Sequence, residues 1–321
     1  MILIVDYYLQ EFLEDGMPNG GGSTRQSASW VALLEQSSTD FTIVPDSLRK
    51  TSFLSRIKWF RDFAATYPES KFYFSVLGKH TLMCFILRFI LGSRFEYIQR
   101  ISNNHVMQRR HKQTARFNYF LNKIFISEPD VFLVQNQHQF NTISKLYTGR
   151  VTIAENPYTN TKVKLEDPAY DFIWIGIIQP QKNIEFLWEI AAGVPEYNFH
   201  VIGPNKYGLA LKELDNVIYH GELANSQTLE LLSKATCLLN TSLYEGLANI
   251  FLEAASRGVP IMKPENIFCP THCRSYNYDK DNFEHVFCDR VLDTCTSRSQ
   301  IQVEFYQNQD KINEEVIKYL Q

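Results

Sequence analysis

Short apolar runs and helical patterns alternate along this chain from its first residue to about residue 262, and that alternation restricts the fold more than any other feature. In the first half the runs are Met1–Val5, Phe41–Val44, Lys71–Val76, Phe95–Ile98, Pro129–Val134 and Arg150–Ala154. Helical patterns reach to about Gln36 and cover Ser55–Ala65 and Lys79–Leu91. In the second half, strand patterns at Phe172–Ile175, Phe199–Ile202, Val217–Tyr219, Cys237–Asn240 and Val259–Met262 are separated by helical ones at Asn183–Ala192, Ser226–Lys234 and Ala248–Ser256. Strands that alternate with helices are joined by crossovers, so the fold class is α/β with parallel, Rossmann-like sheets. Val303–Leu320 adds apolar residues at helical intervals.

At 321 residues the chain has room for two domains. Apolar content of 45% and charged content of 21% describe a soluble globular protein. A net charge of −3 gives no reason to expect nucleic acid as a partner. Six cysteines in this length make no disulfide scaffold, and Cys84 and Cys237, inside apolar runs, are expected as buried thiols in a reducing cytoplasm. The N-terminus lacks the basic region of a signal peptide. Thr81–Gly92, the most apolar segment, is too short to span a bilayer and carries Arg88.

The stretch Cys237–Met262, CLLNTSLYEGLANIFLEAASRGVPIM, concentrates the chemistry. It predicts a strand, a loop opened by Thr241 and Ser242, a helix stopped by Gly258, and a strand. Glu245 stands at the mouth of the loop and Glu253 on the helix. Helical spacing would set them about 12 Å apart on one face, which suits the two ends of one elongated ligand.

The block Glu245-Gly246-Leu247-Ala248-Asn249-Ile250-Phe251-Leu252-Glu253-Ala254, followed by Gly258-Val259-Pro260, resembles the E-x7-E signature of retaining family-4-type glycosyltransferases (glycosyl transferases group 1). Only Ala248 stands where Pro is usual. The resemblance implies a GT-B fold, two Rossmann-like domains with parallel sheets facing across a cleft. It implies that Glu245 contacts the donor hexose as the catalytic carboxylate and that Glu253 holds the ribose, with Gly246, Leu247 and Asn249 beside them. Gly176-Ile177-Ile178-Gln179-Pro180-Gln181-Lys182-Asn183 resembles the family's G-R-x-x-x-x-K-[GN], whose Arg and Lys hold the donor pyrophosphate. Lys182 is present and is expected to start a helix; Ile177 replaces the Arg and removes a bidentate clamp. Gly203, Asn205, Glu222 and Ser242 follow predicted strands and complete the donor edge.

In the first half, Pro18–Thr24 with three successive glycines separates a strand from a helix, an arrangement that aims backbone N–H groups at an anion. By spacing alone it is equally a surface loop; the resemblance assigns Gly21 and Gly22 to the donor. His105, in a polar loop, stands near where the family places a donor-side histidine, though a lone loop histidine is commonly incidental. Tyr97–Ser127 carries Arg100, Arg109, Arg110, Lys112, Arg116 and Lys123 with no Asp or Glu, interleaved with aromatics. That is either an amphipathic helix with a solvated basic face or a surface for anionic lipid headgroups or a lipid-phosphate acceptor, carried by Arg109, Arg110, Lys112 and Arg116.

Asn156-Pro157 resembles the family's passage between domains, which sets the expected boundaries at 1–155, 156–300 and a crossing helix at 301–321. Beyond Met262 the family's usual glycine pair and Pro-Glu are not visible. Cys269, His272, Cys273, His285, Cys288 and Cys295 match no compact zinc spacing, so no metal is expected. The resemblance as a whole implies a cytoplasmic, metal-independent retaining enzyme without a cofactor. It would use a nucleotide-sugar, UDP-linked in preference to GDP-linked, to extend a glycan or lipid-linked acceptor in bacterial surface polysaccharide synthesis, with possible peripheral contact with an anionic membrane. Ile177 and the missing glycines favour an alternative, a degenerate module that binds a nucleotide or partner without catalysis. A sugar-nucleotide epimerase of the same fold is disfavoured by the intact Glu245–Ala254 block.

Overall fold

The computed structural model describes residues 1–15, 21–75, 80–101, 129–146, 149–160, 162–292 and 297–320. The chain divides into two compact units, one formed by Met1–Thr159 with Lys311–Gln321 and the other by Asn160–Asp310.

The first unit is built on six strands, β1 Ile2–Val5, β2 Phe41–Ile43, β3 Lys71–Phe74, β4 Glu96–Ile101, β5 Val131–Val134 and β6 Arg150–Ile153. They lie in the order β2-β1-β3-β4-β5-β6, and every pairing is parallel. Because side chains alternate along a strand, β1 supplies both faces of the sheet. Ile2 and Ile4 pack with Trp30, Val31 and Leu34 of α2 (Gly21–Gln36), whereas Leu3 and Val5 pack with Phe60 of α3 (Phe53–Thr66) and with Met83 and Cys84 of α4 (His80–Phe85). Ser52 caps α3 by accepting the Ser55 N–H at 3.1 Å. Burial of each large side chain contributes roughly 1.5–3 kcal/mol, so the two-sided aliphatic and aromatic core carries most of this unit's stability.

Several sequence expectations shift here. A short helix, α1 (Leu9–Asp15), follows β1 where a loop was expected. Gly21–Thr24 form the first turn of α2 instead of a loop before it. β4 runs on to Ile101, so Arg100 lies inside a strand. The helix after β3 is α4 continued by one wide turn, Ile86–Ile90. After β5 comes α5 (Gln137–Leu146).

The second unit has strands β7 Tyr170–Ile175, β8 Phe199–Ile202, β9 Val217–Gly221, β10 Ala235–Leu239, β11 Ile261–Lys263 and β12 Ser275–Asn277. Their order is β12-β11-β10-β7-β8-β9, again all parallel. One face is covered by α6 (Ile184–Gly193), through Leu187, Trp188 and Ile190, and by Phe283 of the short α9 (Phe283–Val286) with Phe287 beyond it. α7 (Asn225–Ser233) and α8 (Asn249–Ala255) complete the alternation. The last helix, α10 (Arg298–Leu320), belongs to the second unit up to Asp310 and to the first from Lys311, where Val316 joins the α2-side core. No described helix is long and apolar enough to cross a membrane.

Candidate functional site

In an open parallel sheet, ligands bind beyond the carboxyl ends of the strands where the strand order reverses. In the second unit that point lies between β7 and β10, since chain order runs outward to β8 and β9 on one side and to β11 and β12 on the other. The loops that leave β7 and β10 carry Lys182 and Glu245.

These two loops are fastened together along their length. Trp174 Nε1 donates to Thr241 Oγ1 at 2.9 Å, and Thr241 Oγ1 in turn donates to the carbonyl of Lys182 at 2.7 Å. The Leu243 N–H donates to the Gln181 carbonyl, and Gln181 Nε2 to the Tyr244 carbonyl, both at 2.9 Å. At the end of this seam the Lys182 ammonium is ion-paired with Glu245 Oε1, side chains 18% and 11% exposed. Ser242 Oγ donates to the same oxygen at 2.8 Å and accepts from Asn240 Nδ2 at 3.2 Å. Asn240 is held through its own carbonyl by the buried Tyr278 hydroxyl at 2.8 Å.

The carbons of Lys182 pass over Gly176, where a Cβ would already touch Lys182 Cε at 3.4 Å. An ammonium has three donors, so the pairing with Glu245 leaves Lys182 able to hold an incoming oxyanion. The arrangement presents one cation, one carboxylate and one hydroxyl at a strand-order reversal, with backbone positions set by buried hydrogen bonds.

Around this centre the edge is shaped by glycine. Gly203 has φ +141 and lies so close to Gly176 that a Cβ would fall 1.8 Å from its carbonyl oxygen. The Gly176 N–H reaches the Ile202 carbonyl at 3.0 Å, and the Gly203 N–H the Gly221 carbonyl at 2.8 Å, so the ends of β7, β8 and β9 stay level. Asn205 closes its own loop, donating to the Leu209 carbonyl at 2.7 Å and accepting the Leu209 N–H at 3.0 Å. Glu222 is exposed beyond β9. Beside this edge His220 Nε2 and His200 Nδ1 lie 3.0 Å apart; burial lowers the pKa of both, and the His220 charge lowers that of His200 further.

Of the residues singled out in the sequence, Lys182, Ser242 and Glu245 meet directly, and Gly203, Asn205 and Glu222 share their sheet edge. Leu247 is buried, and Gly246 lies in the same loop. Two expectations are corrected. Glu245 lies in the loop before α8, which begins at Asn249, so helical rise does not set its distance from Glu253. Lys182 ends a single tight turn, Pro180–Lys182, and left-handed Asn183 (φ 50) separates it from α6, so it does not start the helix. Gly21 and Gly22 belong to the first turn of α2 in the other unit. His105, Arg109, Arg110, Lys112 and Arg116 lie outside the described residues, as does Cys295. The Thr241 relay to the Lys182 carbonyl escaped the sequence; its only sign was a pair of hydroxyl residues after a strand.

Residues 169–263, a stretch that contains this whole seam, match the family described as Glycosyl transferases group 1. No curated protein matches the chain. The fold is that of GT-B glycosyltransferase structures. A sucrose-phosphate synthase from Thermosynechococcus elongatus superposes with a TM-score of 0.71 at 14% identity, over 99% of this chain and 97% of that one. The lipopolysaccharide outer core galactosyltransferase WaaB in its apo form gives 0.66 at 15% identity, over 99% and 98%. The pneumococcal O-GlcNAc transferase GtfA, in complex with UDP and GlcNAc, gives 0.61 at 13% identity over 83% of this chain, which spans 60% of that protein's length.

Proposed function

We propose that the chain is a retaining glycosyltransferase that moves a sugar from a nucleotide donor, UDP-linked in preference to GDP-linked, to a glycan or lipid-linked acceptor in bacterial surface polysaccharide synthesis. The observation that carries this reading is the Lys182–Glu245–Ser242 cluster at the strand-order reversal, inside the stretch that matches the glycosyltransferase family.

In this reading Lys182 takes one oxygen of the leaving diphosphate with the donors that Glu245 does not use, supported by backbone N–H groups of the loop after β10. Glu245 lies against the transferred hexose, and Glu253 on α8 holds the ribose. No side chain is assigned as a covalent nucleophile; the acceptor attacks from the leaving-group side, and its proton passes to the departing phosphate. Charge on that phosphate is met by an ammonium, so the reaction needs no bound metal. The work is cytoplasmic, at the inner face of the membrane where a lipid-linked acceptor is presented.

A second reading is favoured by one specific observation: Ile177 occupies the place of the family's arginine, and the remaining cation is already ion-paired. A module of that kind binds a nucleotide without turnover. Incubation with UDP- and GDP-sugars, with and without glycan acceptors, decides between them. Release of nucleoside diphosphate supports the enzyme; tight UDP binding with no release in any combination supports the module.

A further inference from the structure

The first unit has a strand-order reversal of its own, between β1 and β3, and a layer of buried polar side chains sits there under α2. Asp6 follows β1, Ser75 follows β3, Arg100 lies near the end of β4, Gln135 follows β5 and Asn156 follows β6. Gln26, Ser27 and Trp30 come down from α2.

Arg100 is 1% exposed, with its guanidinium over the Trp30 ring at 5.4 Å. Its Nη2 donates to Asn156 Oδ1, an oxygen that also accepts from Gln26 Nε2 and from Gln135 Nε2. Three donors on one amide oxygen exceed its two lone pairs. Among the described residues, Arg100 Nε and Nη1 and Trp30 Nε1 are meanwhile buried with no well-formed hydrogen bond, and the Tyr73 hydroxyl lies beside the Arg100 guanidinium. Around Arg100 the layer therefore has more donors than acceptors, and no carboxylate among the described residues is ion-paired with the guanidinium. Asp6, the acid of this layer, is occupied by the Thr24, Ser27 and Ser75 hydroxyls at 3.4, 2.8 and 3.3 Å and by the Tyr8 N–H at 3.2 Å. No ion pair joins it to Arg100 among the described residues. A buried guanidinium with free N–H groups is costly, and a bidentate oxyanion is the partner its fork is shaped to take.

We propose that the first unit holds an oxyanion, a phosphate or a carboxylate, on Arg100, with Trp30 Nε1 and the Tyr73 hydroxyl as further donors. The site itself is independent of the glycosyltransferase reading. Its assignment to the acceptor, which would then bear an anionic group, rests on that reading.

The experiment is thermal unfolding of the full chain, titrated with inorganic phosphate, glucose 6-phosphate, glucose and UDP at ionic strength matched with sodium chloride. Phosphate and glucose 6-phosphate should raise the midpoint while glucose does not. Arg100→Met should weaken both affinities about tenfold or more, and Tyr73→Phe about two- to fivefold. Tighter binding of glucose 6-phosphate than of phosphate identifies the anion as a substituent on a sugar, and equal binding identifies a free ion; either supports the site. No response of the wild type to either oxyanion, or an unchanged response of Arg100→Met, overturns it. If Arg100→Met does not fold, an unchanged phosphate affinity in Tyr73→Phe overturns it instead. The UDP arm keeps the two readings apart, since a wild type that answers phosphate but not UDP loses the glycosyltransferase reading and keeps this site.

Discussion

Lys182 and Glu245 are 63 residues apart in sequence and ion-paired in the fold, each at the end of a loop that the other loop holds in place. The pair is mostly removed from water, so losing one partner leaves the other charge poorly compensated. Glu245→Gln keeps an acceptor for Ser242 and for Lys182, and should abolish transfer while leaving UDP binding nearly intact. Lys182→Met should weaken UDP binding by about 1.5–3 kcal/mol, and Glu253→Gln by about 1–3 kcal/mol, through loss of charge-assisted hydrogen bonds. Calorimetric titration with UDP alongside a transfer assay reads both. Equal loss of UDP affinity in Glu245→Gln and Lys182→Met would reduce Glu245 to a brace for the lysine.

The glycines of the second unit separate steric need from conformational need. At Gly203 a Cβ would overlap the Gly176 carbonyl, which is backbone and has no room to yield; at Gly221, φ +67, nothing lies within 4 Å. Gly203→Ala should therefore destabilise by about 3 kcal/mol or more, and Gly221→Ala by only about 1 kcal/mol. Urea unfolding of both variants tests this, and comparable losses would contradict the close packing of β7 on β8.

Much of this architecture was visible in the sequence, because a buried parallel strand leaves a contiguous apolar run. Phe199–Ile202 and Lys71 to Phe74 needed no adjustment at their starts, and the block from Glu245 to Ala254 located the loop and helix of the site. What remained hidden has physical causes. α1 and β12 are too short to establish a period. The seam between the loops after β7 and β10 is made of backbone carbonyls and neutral side chains whose partners lie some sixty positions away, and such contacts leave no local pattern. Arg100 was grouped with surface cations because composition places arginine outside; only the register of β4 puts it in the interior.

Transfer should survive exhaustive chelation. The chain's one Asp-x-Asp, Asp279-Lys280-Asp281, follows β12 at the edge of the sheet, where Asp279 accepts the Asp281 and Asn282 N–H groups, and the candidate diphosphate site offers Lys182 where a metal-dependent enzyme would offer carboxylates. Assay after prolonged treatment with EDTA should give undiminished turnover. Recovery of an EDTA-inactivated sample on addition of Mn²⁺ or Mg²⁺ would oppose the reading and place a metal between protein and diphosphate.

Glu155 gives the first unit a stability that depends on pH in the unusual direction for a carboxylate. It follows β6, and burial, with the nearby Glu315 charge adding to it, raises its pKa from 4.5 to about 7. The folded state thus keeps a proton that the unfolded chain releases above its ordinary value. Glu155 contributes fully below about pH 4.5 and loses that contribution as pH rises toward 7, where the folded form must also give up the proton. Glu155→Gln retains the size and a hydrogen-bonding head but cannot ionise. Relative to wild type it should gain about 1–3 kcal/mol between pH 4.5 and pH 7.5, with little change above that. Denaturant unfolding at half-unit pH steps reads the difference directly. A gap that is flat across this window would mean that Glu155 titrates like an exposed glutamate; a gap of opposite slope would mean that a cation holds it ionised.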